Sequence, residues 1–586
     1  MDSDISKITP EEWIKREEYF LELLKNPSIR NQIPLLNIED VQNFKNSTLV
    51  RFQGMIQDMH SPELYLDKFD IVNEQSNEKH HGSSRYCDEV ETKENEYIHF
   101  HSSSKHIAER QTYVVISVPG VNSWSQITKA NENVKMCPSS GSCPKKRTLE
   151  ESMETESGQH STINEKCNKK INCNENVIAG NSSKIDNKST NLIEHFKSCF
   201  PLPEETGQIF HLKVYKNQEN LKLNDVCEFV GFLAVGPLTI GDPENEENEM
   251  EFQTLCPPSS LVPRIHCVSF EKNCHNNPLI LNKDEMNLTE FNLVYKDLLL
   301  ILTQLLLGDD LAAEYMIFHL ISEIYMRPNY LPLGKFSLNI SNIPKLDLDY
   351  VSELYKFIER FVPKSYYLPL TLDNLNELKF VPKKNNESNS LTSGILQLSN
   401  NTHLVLDETK LNPGKLNTAG INNVKTIIEA IKNQKVAYDF NYYPLEFDCD
   451  IPFLIFSEGK SMLSSDVHVV LEPDLFCANT IKEIFEAAEQ FLKPDILDGI
   501  RRYLTLARLT QYELTDKVEE LVTNEFVNMR QQGAVSADDL HSMLVLSRLV
   551  AISQGKPNLD EESWTKACRL EHQRKDRLNK KPCNVD

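Results

Sequence analysis

Between residues 125 and 195 the chain is rich in Asn, Ser, Lys and Glu and poor in large apolar side chains. Such a stretch buries too little surface to offset its ordering entropy, so it is expected to be a disordered insertion. Strand-like segments stand on both sides of it. "TLVRFQGMIQDMHSPELYL" (Thr48 to Leu66) alternates apolar and polar residues, and "RQTYVVISVPG" (Arg110 to Gly120) follows; "GQIFHLKVY" and "LKLNDVCEFVGFLAV" occupy 207–215 and 221–235. Whatever these strands build must close across the insertion, and one split β-domain over 46–270 meets that demand. In "LNDVCEFVGFL" a turn feeds a strand that reaches a glycine bend, as in an OB-type barrel. A helical segment, Glu11 to Leu24, precedes the domain within 1–45.

An OB-type barrel raises the alternative function of single-stranded nucleic-acid binding, with Phe52, Tyr65 and Tyr113 as stacking platforms. Aromatic residues in strands are more often core. The formal net charge of -24 also repels phosphate backbones over most of the surface. Two short basic clusters stand against that field: "PKKR" (Pro144 to Arg147) and "HQRKDRLNKK" (His572 to Lys581), the second in a basic C-terminal tail over 571–586. Each reads as a nuclear-import signal or a solvated charge run.

Composition adds exclusions. With 40% hydrophobic and 25% charged residues the chain reads as a soluble globular protein, and its longest apolar run, "DLLLILTQLLLG", falls short of a membrane span. The N-terminus "MDSDISKITPEEW" lacks the basic and apolar regions of a secretory signal. Fourteen cysteines are scattered without CxxC pairs; Cys137 with Cys143 and Cys167 with Cys173 are the nearest repeats, so free thiols are expected rather than zinc. No cofactor or metal is implied.

From about residue 285 long helices (289–307 and 311–326) lead into short apolar runs, "KFSLNI", "THLVLDE" and "PFLIFSE", as in an α/β domain with a largely parallel sheet over 285–480. Every segment after 480 reads as helix, which makes 481–570 a helical subdomain. The fold class expected is thus α+β and multidomain. Within it, "LLLGDDLAAEYMIFHL" (305 to 320) looks like the start of a phosphate loop, a Gly-Asp pair entering a helix, without the lysine and hydroxyl that hold a nucleotide.

Several motifs here resemble, in order, the ATPase domain of the mini-chromosome maintenance (MCM) helicase subunits. "LTSGILQLSNNTHLVLDE" (Leu391 to Glu408) is similar to the stretch leading into their Walker B strand, and "IRRYLTLARL", "VTNEFVNMR" and "VSADDLHSMLVLSRL" are similar to their helical lid. The resemblance implies an AAA+-like domain with a degenerate nucleotide site. Gly308 and Asp309 would open the phosphate loop, with Leu311 for a loop glycine, Glu314 for the lysine and Tyr315 for the magnesium-binding hydroxyl. Asp407 and Glu408 would stand at the Walker B carboxylates, Asp538 at the lid arginine, Ser457 or Glu458 at the polar sensor, and Ser465 near the arginine finger. A leucine in the turn and a carboxylate facing the phosphates would repel nucleotide.

From about residue 48 to the end the chain also resembles the MCM-binding protein family. "RFQGMIQDMHSPELYL", "ERQTYVVISVPGVNSW", "SLVPRIHC", "LLGDDLAAEYMIFHLIS", "LPLGKFSLNI" and "LVLDET" carry that likeness. It implies a non-enzymatic nuclear protein that associates with MCM subunits through protein contacts, without direct nucleic-acid or membrane binding. The acts implied are helicase assembly, removal from chromatin, DNA replication and sister-chromatid cohesion.

Overall fold

The computed structural model describes residues 5–73, 79–88, 96–99, 105–126, 194–203, 205–217, 220–236, 254–280, 286–346, 348–512, 527, 530–531 and 536–579. Of the expected insertion, residues 127–193 lie outside the described residues, with the Pro144 to Arg147 cluster and Cys137, Cys143, Cys167 and Cys173, while Ser125 and His195 at its expected limits are buried.

Three short helices open the chain: α1 (Pro10–Lys15), α2 (Glu17–Leu24) and α3 (Pro27–Arg30). Thr9 and Glu12 form a reciprocal capping box at the start of α1, where Pro10 costs nothing because a first-turn N–H has no intrahelical partner. Their apolar face is spent on the neighbouring sheet: Trp13 stacks on Phe20 at 5.1 Å and meets the edge of Phe232 at 5.9 Å.

The first sheet contains β1 (Leu49–Met59), β2 (Glu63–Asn73), β3 (Lys79–Gly82), β4 (Glu96–His99), β5 (His106–Ile116), β6 (Ile209–Val214), β7 (Val226–Ala234) and β8 (Arg264–Lys272). β1 pairs with β7 on one side and β5 on the other, so the circuit β1-β7-β8-β6-β5 closes into a five-stranded barrel. All its pairings are antiparallel except β6 with β8. A Cβ on Gly231 would lie 2.4 Å from the His266 carbonyl oxygen, so the bend in "EFVGFL" needs glycine for the close strand approach. β5 and β6 are direct neighbours, with Gln111 opposite Val214 and Ile116 opposite Ile209, so the chain does close across 127–193.

The second unit is built on β9 (Leu338–Ser341), β10 (Ser365–Pro369), β13 (His403–Asp407), β16 (Phe453–Phe456) and β17 (Val467–Val470). They form one parallel sheet in the order β10-β13-β16-β9-β17. A smaller sheet, β12-β11-β14-β15, comprises β11 (Lys383–Asn385), β12 (Ser390–Thr392), β14 (Lys435–Asp439) and β15 (Pro444–Asp448). The central strands are buried along their length because both faces are covered, and their middles are largely apolar. Val405, Leu454 and Phe456 enter one core, while Leu404, Leu406, Phe453 and Ile455 enter the other.

The helices are α4 (Leu288–Leu305), α5 (Asp310–Ile321), α6 (Tyr350–Phe361), α7 (Leu372–Glu377), α8 (Thr418–Asn433), α9 (Leu475–Asn479), α10 (Ile481–Phe491), α11 (Pro494–Leu509), α12 (Ala537–Ser553) and α13 (Glu561–Asn579). α5 stops at Ile321, short of the 326 expected, because Ser322 turns extended ahead of Pro328. Residues 571–579, expected in a basic tail, are the last turns of α13, which buries Trp564, Ala567 and Leu570. No helix among the described residues is long and apolar enough to cross a membrane.

Candidate functional site

The turn at Gly308 joins α4 to α5. Leu307 and Gly308 both take positive φ, 60° and 85°, and the Gly308 N–H donates to the Thr303 carbonyl at 2.8 Å. Glycine is needed at the second position, where a Cβ would also lie 3.2 Å from Cβ of Asp474. A phosphate loop connects a strand to a helix. Here a helix enters, so Gly308 to Tyr315 form a helix corner, which corrects the alignment expected from the sequence.

Each candidate residue in that corner has a structural partner. Asp309 caps α5 through the Ala312 N–H at 3.0 Å, and its buried carboxylate also accepts from the Glu472 N–H at 2.9 Å and Arg577 Nη1 at 2.5 Å. Leu311 lies in the apolar core. Glu314 accepts from the Tyr295 hydroxyl at 2.6 Å and pairs with Lys566 at 2.9 Å, so its charge is compensated. The buried Tyr315 hydroxyl donates to Glu571 at 3.4 Å, and Glu571 is gripped by Arg574 through two bonds of 2.8 and 2.7 Å. Burial first, then the Glu571 charge, raises the Tyr315 phenol far above its ordinary range.

Lys566, Glu571, Arg574 and Arg577 all come from α13, and sequence reading missed them. The available signal was apolar spacing: Trp564, Ala567 and Leu570 recur every third residue beneath the charges.

Asp407 ends β13 and Glu408 opens the 3-10 turn after it, at the carboxyl edge of the parallel sheet where α/β proteins bind ligands. Two strands, β16 and β9, separate β13 from β17, whose end carries the Gly308 corner, so the two groups of candidates are not brought together. Asp407 is buried, accepting from the Tyr367 hydroxyl at 2.6 Å and from the Thr409 N–H and hydroxyl at 2.9 and 2.6 Å. Glu408 accepts from the Ser461 hydroxyl at 2.9 Å. Burial raises its carboxyl pKa, opposed by that bond and by the Leu463 and Met462 amides. Ser457 donates to Asn339 and to the Gly459 carbonyl, both at 3.1 Å, while Glu458 pairs with Lys345 at 3.1 Å. Ser465 is half-buried before β17. Asp538 lies in the first turn of α12; its side chain is outside the described residues.

The strand-to-helix connection that topology offers follows β9 and begins Ser341-Asn342-Ile343-Pro344-Lys345. It holds no glycine, and Pro344 has no N–H. The Ile343 N–H donates to the Ser457 carbonyl at 3.2 Å and the Asn342 side chain donates through Nδ2 to the Leu471 carbonyl at 2.8 Å, so one backbone and one side-chain donor are turned inward.

The barrel stands on the opposite, amino-terminal edge. Asn122 Nδ2 donates to the Val362 carbonyl at 2.7 Å, Gln57 Nε2 to the Leu391 carbonyl at 2.7 Å, and Gln397 Nε2 back to the Gln57 carbonyl at 2.8 Å. Asp58 accepts from the Leu391 N–H at 2.7 Å. Leu391 to Gln397, read as the approach to β13, is thus also the strap that holds the barrel. Phe52 and Tyr113 lie inside the barrel core, and Tyr65 packs edge-on against Tyr215 at 5.0 Å, so none is a free stacking platform.

Together these features define a two-unit α+β protein, a closed barrel bonded to the base of a parallel-sheet α/β unit. The profile of one family, described as mini-chromosome maintenance replisome factor, matches residues 20–578, and the chain belongs to that family. It is similar to the mini-chromosome maintenance complex-binding protein of Drosophila melanogaster, at 38% identity covering 96% of this chain and 94% of that one. The Gallus gallus protein of the same name is 37% identical, over 98% and 95%. The Homo sapiens protein is 35% identical, over 98% and 95%.

Proposed function

We propose that this chain is a non-enzymatic nuclear protein that binds MCM helicase subunits and acts in their assembly or their removal from chromatin, during DNA replication and in sister-chromatid cohesion. Its relatives are named for binding the mini-chromosome maintenance complex. In this reading the barrel is of OB type and the α/β unit is an AAA+-like pseudo-ATPase. The closed five-strand circuit and the single parallel sheet support it.

The observation that carries the non-enzymatic part is the loop after β9. A nucleotide site needs backbone N–H groups free to wrap phosphate and a cation aimed at it. This loop offers a proline and bonded donors, and its Lys345 is paired with Glu458. A protein of this kind packs against MCM subunits without completing a composite ATP site, a decoy subunit.

The test uses the full chain. Tagged protein recovered from nuclear extract should carry MCM subunits as its main partners, with capture unchanged by nuclease or by ATP depletion. Calorimetry with magnesium and ATP should give no saturable heat. Capture that vanishes with nuclease would transfer the role to nucleic-acid binding, and turnover of ATP would end the pseudo-ATPase reading.

A further inference from the structure

A cavity of about 280 Å³ opens where the barrel meets the amino-terminal ends of β10 and β13 and the side of α11. It lies at the opposite edge of the sheet from Asp407 and Glu408. Its wall carries two cations that, among the described residues, form no ion pair. Lys364, 5% exposed, donates to the Ser399 hydroxyl at 2.8 Å and the Asn400 carbonyl at 2.7 Å, which leaves one of its three N–H groups unspent. Arg508 donates through Nη2 to the Leu320 carbonyl at 2.9 Å and to His403 Nε2 at 3.0 Å, and its buried Nε has no partner.

The second of those bonds fixes the histidine. A guanidinium only donates, so Nε2 of His403 accepts and the ring proton resides on Nδ1. That nitrogen, on a residue 1% exposed, is also without a partner. Burial, with Arg508 close by, holds the imidazole neutral and the Lys364 ammonium at about 7. Carboxylates in the same wall are already committed, Asp225 to Lys272 at 2.7 Å and Glu323 to Arg548 at 3.1 Å, and Asp450, outside the wall, accepts from the Ile324 N–H at 3.4 Å.

Three basic side chains with unspent donors therefore line one cavity at the junction of two units, a common place for ligands. Asp450, buried nearby, attracts both cations without a direct ion pair, so they stay costly to bury, and an oxyanion bonded to them lowers that cost while taking charge-assisted hydrogen bonds. Asn224 Oδ1 and Asn401 Oδ1, also unpartnered in this wall, offer acceptors for a P–OH or hydroxyl group.

We propose that this cavity is a phosphate-binding site, taking free phosphate or the phosphoryl group of a small ester between Lys364, Arg508 and His403, and so bonding the barrel to the α/β unit through the ligand.

The full chain, freed of phosphate, is titrated calorimetrically at pH 6, where Lys364 is charged, with sodium phosphate, with glycerol 3-phosphate and with sodium chloride at matched ionic strength, and melted in each. Saturable heat and a higher melting temperature are expected with phosphate or the ester and not with chloride; whichever binds more tightly identifies free anion or ester as the ligand. Lys364→Met should weaken that binding by about tenfold or more. It should melt no lower than the parent in phosphate-free buffer at the same pH, since it removes a buried charge that Asp450 offsets only at a distance. Asn401→Asp is the second arm: a carboxylate placed in the wall should raise the phosphate-free melting temperature and abolish the phosphate response. A parent chain that binds neither compound, or both variants keeping the parent's phosphate response, would leave the cavity a water-filled joint and overturn the proposal.

Discussion

Glu205 sits where the barrel meets the α/β unit. Its Oε1 accepts the Gly120 N–H at 3.0 Å, and its Oε2 is buried without a partner. Burial pushes this carboxyl up to about 7, and the Gly120 amide only partly opposes it. A folded pKa above the unfolded value of 4.5 means that the contribution to stability is complete below about pH 4.5 and is lost as pH rises toward 7. Glu205→Gln removes the ionisation and keeps an acceptor for Gly120. It should stabilise the protein by about 1–3 kcal/mol at pH 7.5, with the gain shrinking toward pH 5. Chemical denaturation at the two pH values reads this, and an equal difference at both would exclude ionisation as its source. Gly120 is constrained too, with φ at 68° and its carbonyl accepting the Ser365 N–H at 2.9 Å.

Among the elements, α13 shows most clearly what local sequence conceals. Its charges make "HQRKDRLNKK" look like a solvated tail, yet Arg574 and Arg577 are anchors against β17 and the α5 corner. Arg577→Ala leaves the buried Asp309 carboxylate without its cation and should cost about 3–5 kcal/mol, read as a fall in the denaturation midpoint. Adding Asp309→Asn should recover part of that loss; a double variant as unstable as the sum of the two single ones would mean the residues do not act as a pair. "KFSLNI", "THLVLDE" and "PFLIFSE" were legible as strands because each is a short apolar run with polar ends. β10 ("SYYLP") and β17 ("VHVV") were not, since tyrosines with a proline in the one and a histidine in the other break up the apolar run. The Gly308 corner was misplaced for a different reason. A Gly-Asp pair entering a helix looks the same in a phosphate loop and in a helix corner, and what separates them is the preceding element and its place in a sheet order set by distant strands. The end of β13 at Asp407 was legible, since it rests on a pattern within a few residues.

At the scale of the molecule the barrel and the α/β unit are joined by hydrogen bonds from both sides of the stretch 127–193. On one side Asn122 is bonded to Val362 and Ser365; on the other Ser198 and Cys199 carbonyls accept from the N–H and hydroxyl of Ser393 at 2.9 and 2.6 Å. Between these anchors β5 and β6 lie side by side along their whole paired length. Strand pairing and the common footing on the second unit therefore tie β5 to β6 independently of the peptide linkage between them. A single proteolytic cut at an engineered site near residue 160 should convert the protein into a two-chain complex. Its halves should co-elute in native buffer and part only in denaturant, and separation without denaturant would contradict this. New termini, or a foreign domain, could be housed at that point at little thermodynamic cost, which makes the break between β5 and β6 a natural port for labels that leave both units in place.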